Sequence, residues 1–232
     1  MLLHCLLMTT NSSFTSPATP LRVAVFGASG GVGRVATEQA LERGHEAVAY
    51  VRSPAKLGLT HERLRVVAGE LTDREAIEEA VRGANAVISA LGPSLDRKAS
   101  GMPLVDGTRN IVEAMRANGV RRYVGMATPS LRDTRDRRSL IGTIVPVMGR
   151  VLLPRAYREL LVMSQIVIDS DLDWTIARFS QPSDKPATGA VRAGFLGTDK
   201  VGMAITRADI ATFLLDQVTD ARFVRAAPAI SN

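Results

Sequence analysis

The sequence predicts an α/β protein: a doubly wound parallel sheet with helices on both faces and a small C-terminal region on the substrate side. Three observations lead there. The 232 residues are 46% hydrophobic and 22% charged, the balance of an ordinary globular domain and not of a disordered, collagenous or disulfide-built chain. From Leu21 onward, short apolar runs alternate with helix-period segments that end in glycine, the grammar of strand–helix–strand units. The first run opens straight into a glycine-rich turn and a helix, and parallel strands joined by helical crossovers wind with one hand.

Leu21 to Phe26 is almost continuously apolar, as a strand buried on both faces requires. Val32, Val35, Ala36, Ala40 and Leu41 recur at helical spacing, and Gly44 supplies the C-terminal stop. Glu46 to Val51 reads as the second strand and Leu64 to Ala68 as the third. Thr72 with Glu75 has the spacing of a capping box, opening a helix that Gly83 closes. Asn85 to Ala90 is the fourth strand. Leu104 to Asn118 is a helix with Val105, Ile111, Val112 and Met115 largely on one face, ended by Gly119, and Arg121 to Ala127 is the fifth strand.

Beyond Pro129 the pattern is less regular. The charged run Arg132 to Arg138 precedes an apolar segment, Leu140 to Met148, interrupted by Gly142 and Pro146. Two readings stand: a lid over a pocket, or a surface loop with a short packed helix. Arg155 to Asp169 reads as a helix, Trp174 to Arg178 as the sixth strand, and Arg207 to Val218 as a late helix. Residues 1–20, apolar to Met8 and then rich in Ser, Thr, Asn and Pro, read as a flexible extension with Met8 an alternative start; a partial export signal is the lesser reading, for want of a basic leader. Residues 21–232 then form a single dinucleotide-binding domain, with substrate-side elements at about 129–155 and 179–205.

Chemistry concentrates after the first strand, in Gly27-Ala-Ser29-Gly30-Gly31-Val32-Gly33. A tight strand-to-helix turn needs glycine for positive φ, for close approach of a pyrophosphate and for helix–strand contact, and the helix N-terminus offers free N–H groups to the phosphates. Its place between a strand and a helix makes it a dinucleotide site and not merely a flexible turn. At the end of the second strand, where a carboxylate would bond the ribose hydroxyls of NAD, stand Arg52, Ser53 and Lys56. A guanidinium there pairs with a 2′-phosphate, so NADP(H) is the expected cofactor; the alternative is one more surface arginine. Glu70 and Leu71 are placed to border the adenine, and Ala90, Leu91 and Gly92 to flank the nicotinamide half.

Gly27 to Gly33, Val51-Arg52, Gly69 to Leu71, Gly107 to Ile111 and Asp173 to Arg178, in that order, resemble the NAD(P)H-binding atypical short-chain dehydrogenase/reductases, over about residues 21–228. The flavour is that of the NmrA-like and biliverdin reductase B (flavin reductase) group. The resemblance implies a Rossmann fold, NADP use and reduction of flavins, quinones or related conjugated substrates; non-catalytic redox sensors occur among such proteins too. By the same resemblance Thr128 corresponds to the residue beside the nicotinamide, unless it simply ends the fifth strand. Gln181 stands where the biliverdin reductase B pattern has a histidine, and an amide cannot donate a proton as imidazolium does.

Other chemistries are disfavoured. The tyrosine–lysine pair of ordinary short-chain dehydrogenases is missing: Pro54, Ala127 and Leu161 stand four residues after Tyr50, Tyr123 and Tyr157. His4, His45 and His61 lie away from the strand ends and Cys5 is the sole cysteine, so neither hydrolytic triads nor metal sites are expected. The net charge of +6 permits an anionic partner. With 4% aromatic residues, however, no nucleic acid is expected; nor is a membrane, since the eight residues of the apolar opening are too few to span a bilayer. The expectation is a cytoplasmic NADPH-dependent reductase, monomer or homodimer, acting on a small-molecule acceptor, with an NADP(H)-sensing regulator as the alternative. An isomerase that retains its cofactor is a weaker third reading.

Overall fold

The computed structural model describes residues 19–96 and 98–232. Expectations for the leader, including His4, Cys5 and Met8, lie outside the described residues. The element order is β1 (Arg22–Phe26), α1 (Gly31–Glu42), β2 (Glu46–Val51), β3 (Leu64–Ala68), α2 (Arg74–Val81), β4 (Ala86–Ser89), α3 (Pro103–Ala117) and β5 (Arg122–Ala127). There follow α4 (Leu140–Leu152), α5 (Pro154–Ile168), β6 (Asp173–Arg178), β7 (Gln181–Ser183), β8 (Arg192–Gly194), β9 (Ala204–Thr206), α6 (Arg207–Asp216) and β10 (Ala229–Ser231).

The main sheet has eight strands in the order β3-β2-β1-β4-β5-β6-β10-β8; all neighbours are parallel except β8, which runs antiparallel to β10. The order reverses between β1 and β4, the switch point where open α/β sheets bind ligands. Alternation along each strand divides the core. On β1, Ala24 and Phe26 face a layer with Ile77, Ile111, Met115 and Trp174, from α2, α3 and β6. Val23 and Val25 face the other layer, with Leu41, Ile210 and Leu214 from α1 and α6. Phe26 is fully buried, a burial worth roughly 1.5–3 kcal/mol.

Two expectations change. The capping box of Thr72 and Glu75 does not form: Asp73 is the N-cap of α2, its carboxylate accepting the Ala76 N–H at 3.0 Å. Asp spans the N-cap bond as well as Thr and adds a negative charge at the positive end of the helix. The interrupted segment after Ser139 is one helix of 13 residues, α4, and none of its residues is buried, so it is not the packed helix of the sequence reading. Pro146 leaves the Gly142 carbonyl without its usual helical donor, and Arg132 Nη2 donates to that oxygen at 3.4 Å. The short strands β7, β8, β9 and β10 add to the expected elements; β7 and β9 pair with each other outside the main sheet.

Candidate functional site

Between Phe26 and Gly31 the chain must leave the sheet and enter α1. Gly27 has φ +76°, and a Cβ there would come within 2.9 Å of the Ala90 carbonyl oxygen. The Gly30 N–H donates to the Gly27 carbonyl at 2.9 Å and closes the turn. Gly33 lies against the same Gly27 carbonyl so closely that any Cβ would overlap it. Gly30 serves as the N-cap without a side chain to fill the helix end. The N–H groups of Gly31, Val32 and Gly33 are therefore first-turn donors with no partner within the helix, the arrangement that accepts a pyrophosphate. Val32 anchors the turn in the α1/α6 layer, and Ser29 is exposed on its crest. The residues present fit a dinucleotide.

The structure gathers the neighbouring strand ends around this turn. Beyond β4, the Ala90 carbonyl and the Leu91 side chain press on Gly27, while Gly92 is exposed with open space where a Cβ would stand. Beyond β2, Arg52 and Lys56 are exposed, and Ser53 begins the 3-10 turn Pro54–Lys56. Beyond β3, Glu70 and Leu71 are fixed from two sides. The Tyr50 hydroxyl donates to the Glu70 carbonyl at 2.7 Å, and Asn110 Nδ2 of α3 donates to the Leu71 carbonyl at 2.8 Å. Gly107 lets α3 approach, since a Cβ there would meet Leu71 Cβ at 2.8 Å.

The other side of the crevice is built by β5 and β6. Thr128, half-buried just past β5, accepts the Ser130 N–H on its Oγ1 at 3.3 Å. Gln181 begins β7, its backbone N–H donating to Met203 at 3.1 Å and its side chain exposed. The adjacent strand ends are tied by the Phe179 N–H, which donates to the Ala127 carbonyl at 3.1 Å. Arg178 is fully buried and makes a forked pair with Asp136, at 2.5 and 2.8 Å, while its Nη1 also donates to the Leu131 carbonyl at 2.9 Å. Burial opposes the Asp136 charge, but the Arg178 bond, the Asp133 and Leu196 N–H groups and the Arg178 charge outweigh it and hold the carboxyl below its ordinary range. Burial pushes the Tyr50 and Tyr123 hydroxyls up to about 12, helped at Tyr50 by the Asp73 and Glu70 charges. Neither phenol exchanges protons readily near neutrality.

Arg207, read from the sequence only as the start of the late helix, reaches the site from the first residue of α6. Its side chain lies over Gly31, where an added Cβ would meet Nε at 2.8 Å, and its Nη1 pairs with exposed Asp184 at 2.6 Å. The Thr206-x-x-Asp209 spacing was the available signal for the start of α6: Thr206 Oγ1 accepts the Asp209 N–H at 3.0 Å. Nothing local to Arg207 reports Gly31. Among the described residues, no group of three or more His, Cys, Asp or Glu is placed to hold a metal ion, and no helix is long and apolar enough to cross a membrane.

A 3-beta-hydroxysteroid dehydrogenase of Mycolicibacterium neoaurum is 36% identical over 120 residues, 47% of this chain and 32% of that protein. A 3-diazoavenalumate denitrifying reductase of a Streptomyces species is 30% identical over 189 residues, 75% of this chain and 60% of that protein. The chain thus spans about a third to three fifths of the length of these curated relatives. A solved short-chain dehydrogenase/reductase from Veillonella parvula, in complex with NADP, superposes with a TM-score of 0.72 at 17% identity, over 91% of this chain and 94% of that one, a likeness of fold. The profile of the family described as NAD(P)H-binding matches residues 27–221, from the first glycine of the turn to beyond α6. The chain belongs to that NAD(P)H-binding family, in keeping with its Rossmann-like fold and its resemblance to the atypical short-chain dehydrogenase/reductases.

Proposed function

We propose that the protein is an NADPH-dependent reductase that passes a hydride to a small conjugated acceptor such as a flavin or quinone. The observation that carries the cofactor choice is the exposed Arg52 at the end of β2, where no carboxylate competes for the ribose and Lys56 stands close by in sequence. A 2′-phosphate offers Arg52 a bidentate charge-assisted partner, which NAD lacks. The reductase and dehydrogenase names of the relatives support the reaction class.

A bound reduced nicotinamide supplies the hydride; the chain's residues bind, orient and exclude water. Gly31, Val32 and Gly33 offer their N–H groups to the phosphates, with Gly30 leaving room, Ser29 beside them and Gly27 bringing Ala90 and Leu91 against the turn. Glu70 and Leu71 border the adenine, Leu91 and Gly92 the nicotinamide. The Thr128 hydroxyl orients the carboxamide or an acceptor carbonyl, and Gln181 adds a neutral amide contact. With both buried phenols far from neutral titration, the proton reaches the acceptor from solvent. Exposed arginines beside α4 favour acidic acceptors.

Calorimetry with NADP+ and NAD+ tests the cofactor reading. NADP+ binds at least about tenfold more tightly, and Arg52→Ala brings the two affinities together. Equal wild-type affinities overturn the reading. In the same preparation, NADPH oxidation against flavins and quinones separates a reductase from a silent sensor.

A further inference from the structure

α4 presents an apolar face that nothing in the described chain covers. Of the eight large apolar side chains exposed among the described residues, six are Leu140, Ile144, Val147, Met148, Val151 and Leu152, all on α4, with exposures from 49% to 79%. Their spacing lines them along one stripe of the helix. The opposite side, with Gly142, Val145 and Gly149, is half-buried, as is Ile141 at the edge of the stripe, and a Cβ on Gly149 would sit 3.1 Å from the Tyr157 ring. Leu95 extends the stripe, lining a cleft with Val151 and Leu152. A helix apolar on both sides belongs in a core or in lipid, and such a patch is large for an ordinary surface.

Charge selects the occupant. Arg137 and Arg138 precede the helix, Arg132 donates to its Gly142 carbonyl, Arg150 ends it, and Arg192 and Lys200 share a cleft with Leu140 and Ile141. Apart from Gly142-bonded Arg132, all are exposed without side-chain bonds, and among the described residues none of the six is in an ion pair. The carboxylates facing them are few. Asp133 and Asp136 are taken by Arg135 and Arg178, Asp199 accepts the Phe195 N–H, and Asp96 at the far end accepts the Lys98 N–H. A second copy seated by two-fold symmetry would set these cations against themselves. A polyanion such as nucleic acid would satisfy the cations and leave the stripe wet. An anionic bilayer surface meets both demands at once.

We propose that α4 lies in the plane of an anionic membrane surface, its stripe in the acyl boundary and the surrounding arginines among the headgroups. The expectation of no membrane partner rested on the want of a spanning segment, and a helix lying in the interface needs no spanning length. The inference is independent of the cofactor reading.

The test is sedimentation of the full chain with vesicles of phosphatidylcholine, with and without phosphatidylglycerol. The protein pellets with the anionic vesicles and stays in solution with the neutral ones. The double variant Val147→Glu/Val151→Glu, with circular dichroism as a check of folding, loses binding by about tenfold or more, and so does Arg137→Ala/Arg138→Ala, which leaves the stripe intact. Absence of pelleting with anionic vesicles, equal pelleting with neutral ones, or wild-type pelleting by both double variants overturns the proposal. So does a wild-type dimer, seen by size exclusion, that Val147→Glu/Val151→Glu converts to monomer, because the stripe is then covered by a second copy.

Discussion

Arg207 carries a guanidinium from the late helix to the crest of the glycine turn, where Gly31 has no side chain to keep it away. Its ion pair with Asp184 is exposed on the acid's side, so it contributes little to folding and leaves the guanidinium available to an anion. Removing it in Arg207→Ala weakens NADP+ and NAD+ by the same factor, about tenfold, since both carry the pyrophosphate, whereas Arg52→Ala affects NADP+ alone. Paired titrations of the two variants check this. The glycines themselves were legible in the sequence because their constraint is local: a turn of this tightness excludes Cβ at Gly27 and Gly33 whatever the rest of the chain does. Arg207 was not, because its neighbour is set by the packing of α6 on α1 and no spacing encodes that meeting.

At the scale of elements, α3 is both a packing helix and a brace. Its Asn110 is buried and spends its amide on the Leu71 carbonyl at the β3–α2 turn. Asn110→Ala strands that carbonyl and costs about 1–3 kcal/mol in urea unfolding, with a further loss of dinucleotide affinity as the turn loosens. In the sequence, Gly107 to Ile111 stood out only through the family resemblance; the structure shows close approach at Gly107 and a bond from Asn110. The strands up to β6 were readable since each carries an apolar run, and glycines punctuate the chain around the first five. β7, β8, β9 and β10 were not, because runs of three residues such as Gln181-Pro-Ser are too short and too polar to display a period and owe their form to partners supplied by the fold. Gly142 and Pro146 hid the continuity of α4, which a distant arginine helps to maintain.

For the whole molecule, a few buried carboxylates couple stability to acid. Asp136 is joined by Asp209, whose burial is likewise outweighed, here by the Thr188 and Gly189 N–H groups and the Thr206 hydroxyl; both are held below the ordinary aspartate range. A depressed native value stabilises the fold fully above the unfolded value, near pH 4, and that contribution disappears as pH falls through the lower native value. Denaturant titrations between about pH 5 and pH 2 show this fall in the wild type and a shallower one in Asp136→Asn. At neutral pH, Asp136→Ala costs about 3–5 kcal/mol, because it leaves the Arg178 guanidinium buried without its counter-ion. From sequence, Arg132 to Arg138 read as one charged run. Folding sorts it, drawing Asp136 inward to Arg178 and leaving Arg137 and Arg138 outside.

That sorting bears on how the proposed reductase would receive its acceptor. Arg178, rooted in β6, grips Asp136 and the Leu131 carbonyl, while Asp133 accepts the Ala227 N–H at 2.8 Å, so the segment leading into α4 is riveted to the sheet at several points before a guest arrives. A wall fixed in this way forfeits little entropy on complexation. A segment tied down in this way does not swing as a flap, so under the proposed function discrimination among acceptors falls to the contour already present.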